Sequence, residues 1–252
     1  MNTTSVFAAS GAGAVFFGLI ACCATGSAAR PEIVVSAFGG VALTENNDLR
    51  LQQNGGTDLT FHNVSYKGKD FQSPPYYGAR LACFSSEQSH WGFGAEFFHA
   101  KLYLNTEATV RVSGTLAGKP VDAFERVGDT INSFNLSHGL NFLTADVMYR
   151  AFLGERGKDF LGRLQPYVGV GVGAVIPHVE SIIGGVGYEK YQWHGPGVQA
   201  FVGTNFDLTR HWSLFAEYKF SYANLDHLNI PGGSIGITPL THHIVSGLSF
   251  RF

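Results

Sequence analysis

Charge is scarce in this sequence. Of 252 residues, 17 are Lys or Arg and 19 are Asp or Glu, so 14% are charged, against about 25% in an ordinary soluble domain. A net charge of −2 with no basic patch argues against a nucleic-acid partner, because phosphate backbones are held by clustered cations. Long apolar runs are missing too. After residue 29 no run reaches the about 20 residues that a membrane helix needs, so only strands could cross a membrane. Three cysteines are present, Cys22, Cys23 and Cys83. The first two fall in a leader, which leaves Cys83 with no disulfide partner within the chain. Alternation sends Cys83 to the outer face of its strand. No HExxH or CxxC spacing and no flavin or nicotinamide fingerprint is present.

What is abundant is glycine, 32 residues, and aromatics, 13%, a mix that suits turns and girdles of a β protein. The stretch from Gln165 to Glu180 carries the pattern best. Pro166, Val168, Val170, Val172, Ala174 and Ile176 alternate with Gly169, Gly171 and Gly173. A strand sends alternate side chains to opposite faces, so one face is apolar and the other nearly bare. An apolar outside over a small or polar inside marks a transmembrane barrel strand. The pattern stops at Pro177, where the strand is expected to emerge into a polar site at His178 and Glu180.

Residues 1–29 lack Lys, Arg, Asp and Glu. Ala12 to Ala24 is apolar and runs into Gly26-Ser27-Ala28-Ala29, which fits a signal peptide cut just before Arg30. Residues 30–252 then form the barrel domain. Leu19-Ile20-Ala21-Cys22 also resembles a lipoprotein box.

Eight alternating segments follow, at 33–41, 76–84, 91–104, 140–152, 165–180, 198–208, 212–222 and 241–252. Their connections alternate long and short. That is the habit of outer-membrane barrels, with long outer loops and short periplasmic turns. The fold class is therefore an all-β, eight-stranded, antiparallel up-and-down transmembrane barrel with long outer loops, in the bacterial outer membrane. The segment 59–66 could extend the sheet above the membrane. The chain ends Ser249-Phe250-Arg251-Phe252, similar to the terminal strand that such barrels present to the barrel assembly machinery. Eight strands leave an interior just filled by side chains. Inward Arg80, Glu96, Asp146, Arg150, Glu217 and Lys219 are expected to pair there as a structural network, since buried charges need partners.

Chemistry is left to the rim. His99 and Lys101, His138, His178 and Glu180, His194, and His242-His243 all fall at the upper ends. His178 and Glu180, two apart, share a strand face and could hold one divalent metal ion; imidazole plus carboxylate suits Zn, Fe, Mn or Cu. Glu96 and His99 share a face only if a bulge falls at Phe97-Phe98. No hydrolase triad is legible, because His243 and Ser246 have opposite parity.

Several pieces resemble the rhizobial lipid A oxidases. They are Gly68-Lys69-Asp70-Phe71 with Pro74-Pro75-Tyr76-Tyr77-Gly78-Ala79-Arg80, then Trp91 to Lys101 (WGFGAEFFHAK), His138-Gly139-Leu140-Asn141, Tyr167 to Glu180, and Glu217-Tyr218-Lys219-Phe220. The first loop and the 105–137 connection match poorly. The resemblance implies an outer-membrane enzyme that meets lipid A, the anchor of lipopolysaccharide, laterally among the outer-membrane lipids. It would oxidise the reducing-end glucosamine to 2-aminogluconate, with molecular oxygen as co-substrate and hydrogen peroxide as co-product. Beside it, residue type and position offer His99, His138, His178 and Glu180 for catalysis, and Lys69, Tyr76, Arg80 and Lys101 for substrate. The electron carrier is a rim metal or unknown. The other reading is a non-enzymatic barrel of the OmpA or OmpW kind, in envelope structure or adhesion.

Overall fold

The computed structural model describes residues 30–156 and 159–252. The expected leader, with Cys22 and Cys23, lies outside the described residues. The strands in chain order are β1 (Glu32–Thr44), β2 (Asn47–Gln53), β3 (Thr57–Val64), β4 (Tyr66–Lys67), β5 (Tyr77–Phe84), β6 (Trp91–Leu104), β7 (Thr109–Leu116) and β8 (Lys119–Arg126). There follow β9 (Ile131–Arg150), β10 (Leu164–Ile183), β11 (Val186–Tyr191), β12 (His194–Asp207), β13 (Trp212–Ala223), β14 (Leu225–Ile230), β15 (Gly233–Ile237) and β16 (Leu240–Arg251).

Eight of these close on themselves in the order β1, β5, β6, β9, β10, β12, β13, β16, all antiparallel. β16 returns to β1 with Val34 opposite Arg251 and Thr44 opposite Thr241. Closure leaves no free edge, as hydrocarbon demands of a spanning sheet. The outward row is apolar. Val168, Val170 and Val172 on β10 are 50–60% exposed, as are the β12 and β16 residues Val202 and Ile244 to similar degrees. Trp91 packs edge-on to Tyr149 and Trp212 to Phe250 near the short turns. Tyr77, Phe97, Tyr218 and Phe220 sit toward the other end. An apolar band between two aromatic girdles makes this a barrel of the outer-membrane type. Cys83 keeps its outward register, opposite Phe93 and Ile33, yet is buried.

The interior is filled, as expected. Arg80, Glu96, Asp146, Arg150, Glu217 and Lys219 are all at most 5% exposed. Arg80 is bidentate to Glu217 at 2.8 and 2.9 Å and also pairs with Glu96, which Lys219 meets from the other side. Tyr167 donates its hydroxyl to Glu217. A second layer near the short turns joins Arg150 to Glu32 at 3.0 Å and Arg251 to Asp207 at 3.2 Å. The bare glycine face of β10 makes room for the interior: a Cβ on Gly171 would overlap the Asp146 carboxylate and one on Gly169 the Phe201 ring.

The long connections are not loops. Three of them each rise as a hairpin, β2–β3, β7–β8 and β14–β15, and the hairpins join into a six-stranded sheet in the order β14, β15, β2, β3, β7, β8. The fourth connection contributes β11, which pairs with β10. The physical reason is buried alternation: Leu49, Leu51, Leu59, Phe61, Val112 and Ile235 are at most 1% exposed. They form one core with Leu102, Phe134, Leu136 and Val179 on the extended barrel strands and with Phe98 and Phe142 at the barrel mouth. The upper end of the barrel is thereby packed with apolar side chains. β8 ends this second sheet and is largely exposed.

Strand β10 does not stop at Pro177. It runs on to Ile183, because one partner is exchanged and the register with the other shifts at that point. β12 pairing ends at Val175, β11 pairing begins at His178, and the β9 register shifts between Pro177 and Glu180. A proline, which cannot donate to a ladder, is tolerated at such a break.

Candidate functional site

Parity decides where the rim residues point. The β6 register is unbroken from Gly92 to Ala100, so there is no bulge at Phe97-Phe98. Glu96 faces the interior, whereas His99, Lys101 and Tyr103 continue the outward row of Phe93 and Phe97. On β10, His178 and Glu180 continue the outward row of Val168, Val170 and Val172. The polar groups therefore lie on the outer wall of the barrel, above the apolar band, rather than in its mouth.

The wall is assembled by a bulge in β9. Between Ala100/Leu140 and Leu102/Leu136, β6 advances two residues while β9 advances four. The opposite β10 ladder shows the same surplus between Pro177/Leu140 and Glu180/Asn135. The extra residues carry Ser137 and His138 outward. The bulge turns at Gly139, where φ is +115°, a region that side chains disfavour.

Two polar groups flank the bulge. On the β6 side, His99 is 2% exposed and its Nδ1 lies 2.9 Å from Asn141 Oδ1. The Asn141 amide nitrogen donates to the Ile176 carbonyl at 3.0 Å, so its oxygen is the atom turned to His99. His99 Nδ1 must then carry the proton, which leaves Nε2 with the lone pair. That Nε2 is buried and has no hydrogen-bond partner among the described residues. The Tyr77 ring stacks on the imidazole at 5.0 Å. Lys101 is buried beside it, with Nζ donating to the Gln72 and Ser73 carbonyls at 3.1 Å. Lys69 sits 3.9 Å over the Tyr103 ring.

On the β10 side, His138, His178, Glu180 and Glu189 each bring one ligand-type atom within 4.8 Å of all the others. Glu180 Oε1 accepts from Ser137 Oγ and from His138 Nδ1, the latter at 2.9 Å. His178 Nδ1 is 3.5 Å from the same oxygen, and His178 Nε2 is 3.6 Å from Glu189 Oε1. The His138 and His178 rings meet edge to face at 4.8 Å, and Tyr191 covers His178 at 4.3 Å. Two imidazoles with two carboxylates form a donor set for a divalent transition metal.

Of the residues anticipated from sequence, the structure brings together His138, His178 and Glu180, with His99, Lys101 and Lys69 along the same wall. Two belong elsewhere. Arg80 is sealed inside the barrel by Glu96 and Glu217 and cannot reach a substrate at the rim. Tyr76 points inward, 3% exposed, and packs on Phe98 and His243. The remaining upper histidines separate as well. His243 bonds Ser221 at 2.8 Å inside the barrel, and His242 joins Glu45 at 2.8 Å. Sequence reading missed Asn141, Ser137 and Glu189. The His138-Gly139 pair was the available signal for the bulge; Glu189 lay in what read as a loop.

No protein-family model matches the sequence, and no curated protein matches it. Among solved structures the chain is similar to neisserial surface protein A, at 12% identity and a TM-score of 0.39, over 88% of this chain and 97% of that one. It is similar to Ail, the attachment invasion locus protein of Yersinia pestis, in complex with sucrose octasulfate, at 11% identity and 0.37, over 88% and 97%. It is also similar to the outer membrane protease OmpT of Escherichia coli, at 9% identity and 0.42, over 88% and 96%. At these identities no site residue carries over.

Proposed function

We propose that this barrel is an outer-membrane oxidoreductase that acts on lipid A. It would convert the reducing-end glucosamine to 2-aminogluconate with oxygen as the acceptor. The observation that carries the reading is the position of the polar wall. His99, Lys101, His138, His178 and Glu180 face outward just above the apolar band, where the headgroup of a lipid in the same leaflet lies. A filled lumen and a packed upper end leave lateral approach as the route.

The anomeric hydroxyl loses its proton and the anomeric carbon loses a hydride equivalent, giving a lactone. Oxygen takes the two electrons and two protons and leaves as hydrogen peroxide. Water then opens the lactone to the acid. His99 suits the base, since Asn141 fixes its basic nitrogen on Nε2; Tyr77 has to swing off the ring for substrate to reach it. Lys69 and Lys101 suit an anionic group on the sugar. A metal ion held by the histidine–carboxylate cluster would supply the electron relay between sugar and oxygen.

The test is the mass of lipid A from an outer membrane without an endogenous oxidase, with and without this protein expressed in air. The expected product is one oxygen atom heavier and fails to form when oxygen is withheld. An unchanged profile, with the barrel shown folded by heat-modifiable gel mobility, would replace this reading with that of a non-enzymatic barrel.

A further inference from the structure

We infer that His138, His178, Glu180 and Glu189 form a divalent-metal site on the outer wall. It gives the proposed oxidase a place for an ion, but it stands on side-chain positions alone and is separable from lipid A chemistry.

Glu180 and Glu189 are directly opposite each other on the paired strands β10 and β11. Like charges in that position destabilise a sheet. Among the described residues the ion pairs that either carboxylate makes within 4.0 Å are to the two histidines, and Lys101 acts on Glu180 only from further off. A cation between them removes the repulsion. His178 is the second, independent observation. It is 5% exposed, aimed into the cluster, and its Nδ1 has no hydrogen-bond partner among the described residues. A buried polar atom without a partner is costly, and a metal satisfies it through the lone pair.

The spacing fits. Metal–nitrogen and metal–oxygen bonds of about 2.0–2.2 Å imply roughly 3.3–3.5 Å between neighbouring ligands of a tetrahedron. Glu180 Oε1 is 2.9 Å from His138 Nδ1 and 3.5 Å from His178 Nδ1, whereas Glu189 Oε1 is 3.6 Å from the other nitrogen of His178. An imidazole ligates through one nitrogen, so Glu189, whose side chain is 65% exposed, is the group that moves inward. Ser137, hydrogen-bonded to Glu180, orients that carboxylate as an outer-shell partner does in metal sites. Two imidazoles favour the Zn, Co, Fe and Mn class over Ca or Mg. His138, with its side chain 52% exposed, keeps one side open to the surroundings.

The experiment is a Co2+ titration of the untagged, EDTA-treated, folded barrel in detergent. The expected result is one equivalent bound with the visible absorption of a nitrogen- and oxygen-ligated ion, displaced by one equivalent of Zn2+. His178→Ala, His138→Ala and Glu189→Gln should each weaken binding at least tenfold, and His227→Ala, at an exposed histidine beside Asp226, should not. If His178→Ala does not fold, the two exposed positions decide. Co2+ affinity unchanged in both His138→Ala and Glu189→Gln overturns the site, as does binding that His227→Ala weakens equally. Tight Co2+ binding without lipid A oxidation would keep the site and remove the oxidase.

Discussion

Gly139 lies so close to His99 that a Cβ on it would overlap His99 Nδ1, and its φ of +115° is one that side chains avoid. The bulge and the histidine are thus one unit: His99 can hold its Asn141 contact only because residue 139 has no side chain. Gly139→Ala should leave the barrel folded and heat-modifiable while disordering the wall. The check is the titration of Co2+ described above, with at least tenfold weaker binding expected, alongside unchanged gel mobility. Wild-type affinity in Gly139→Ala would break the link between bulge and site.

Lys219 is fully buried between Glu96 and Glu217, which Arg80 also bridges. Removing one member of such a group leaves an uncompensated buried charge. Lys219→Met should cost about 3–5 kcal/mol, read from urea unfolding in lipid vesicles. Adding Glu96→Gln should recover part of the loss. A double variant as unstable as the sum of two singles would mean that the charges do not act as a network.

Val170 stands at mid-height on the lipid-facing row and is 60% exposed. Val170→Arg should destabilise the vesicle-inserted barrel by about 2–4 kcal/mol. The same change at a residue facing water would cost little, so a negligible effect here would contradict the membrane-facing assignment of this row.

Asp70 lies in the connection between β4 and β5. Burial pushes its carboxyl above the ordinary carboxylate range, against the opposing pull of the Ala42 and Asp70 amides and of the Lys101 ammonium. A carboxyl with a raised folded-state pKa binds more protons folded than unfolded. Stability therefore falls as pH rises through that window, and the penalty persists at neutral pH. Asp70→Asn keeps an oxygen for the two amides and removes the charge. It should be at least as stable as wild type at pH 7, with a smaller advantage at pH 4, by thermal unfolding at both values. A variant less stable at pH 7 would refute the assignment.

The barrel was legible because its signal is repeated: every spanning strand alternates, and Val168–Val172 against Gly169–Gly173 shows the two faces without ambiguity. The inward position of the six charges was legible for the same reason, and Arg80, Glu96, Glu217 and Lys219 pair as expected; Asp146 is instead held by Gln199, and Arg150 pairs with Glu32, outside the expected set. The hairpins above the membrane were not, apart from the 59–66 segment. Their alternating residues, such as Leu49, Leu51 and Val112, sit among Gly, Asn and Thr, and gain their burial only by meeting one another across distant connections. The wall was half legible. Strand parity places His178 and Glu180 together, but the β9 bulge that adds His138, and the β10–β11 pairing that adds Glu189, are register features that no local spacing reveals. Parity had already turned Arg80 inward, and Tyr76 lies one residue from outward Tyr77; the substrate role offered to both rested on residue type and height on the strand, which the sealed interior rules out.

The six-stranded sheet, unlike the barrel, is open, so it ends in unpaired backbone. Its β8 margin reads Lys119-Pro120-Val121-Asp122-Ala123-Phe124-Glu125-Arg126. Proline and alternating charge on such a margin deter further strands from joining. Where a second copy could approach edge-on in the plane of the membrane, this margin acts as a guard. The sheet can seal the barrel without becoming a template that stitches one copy to the next.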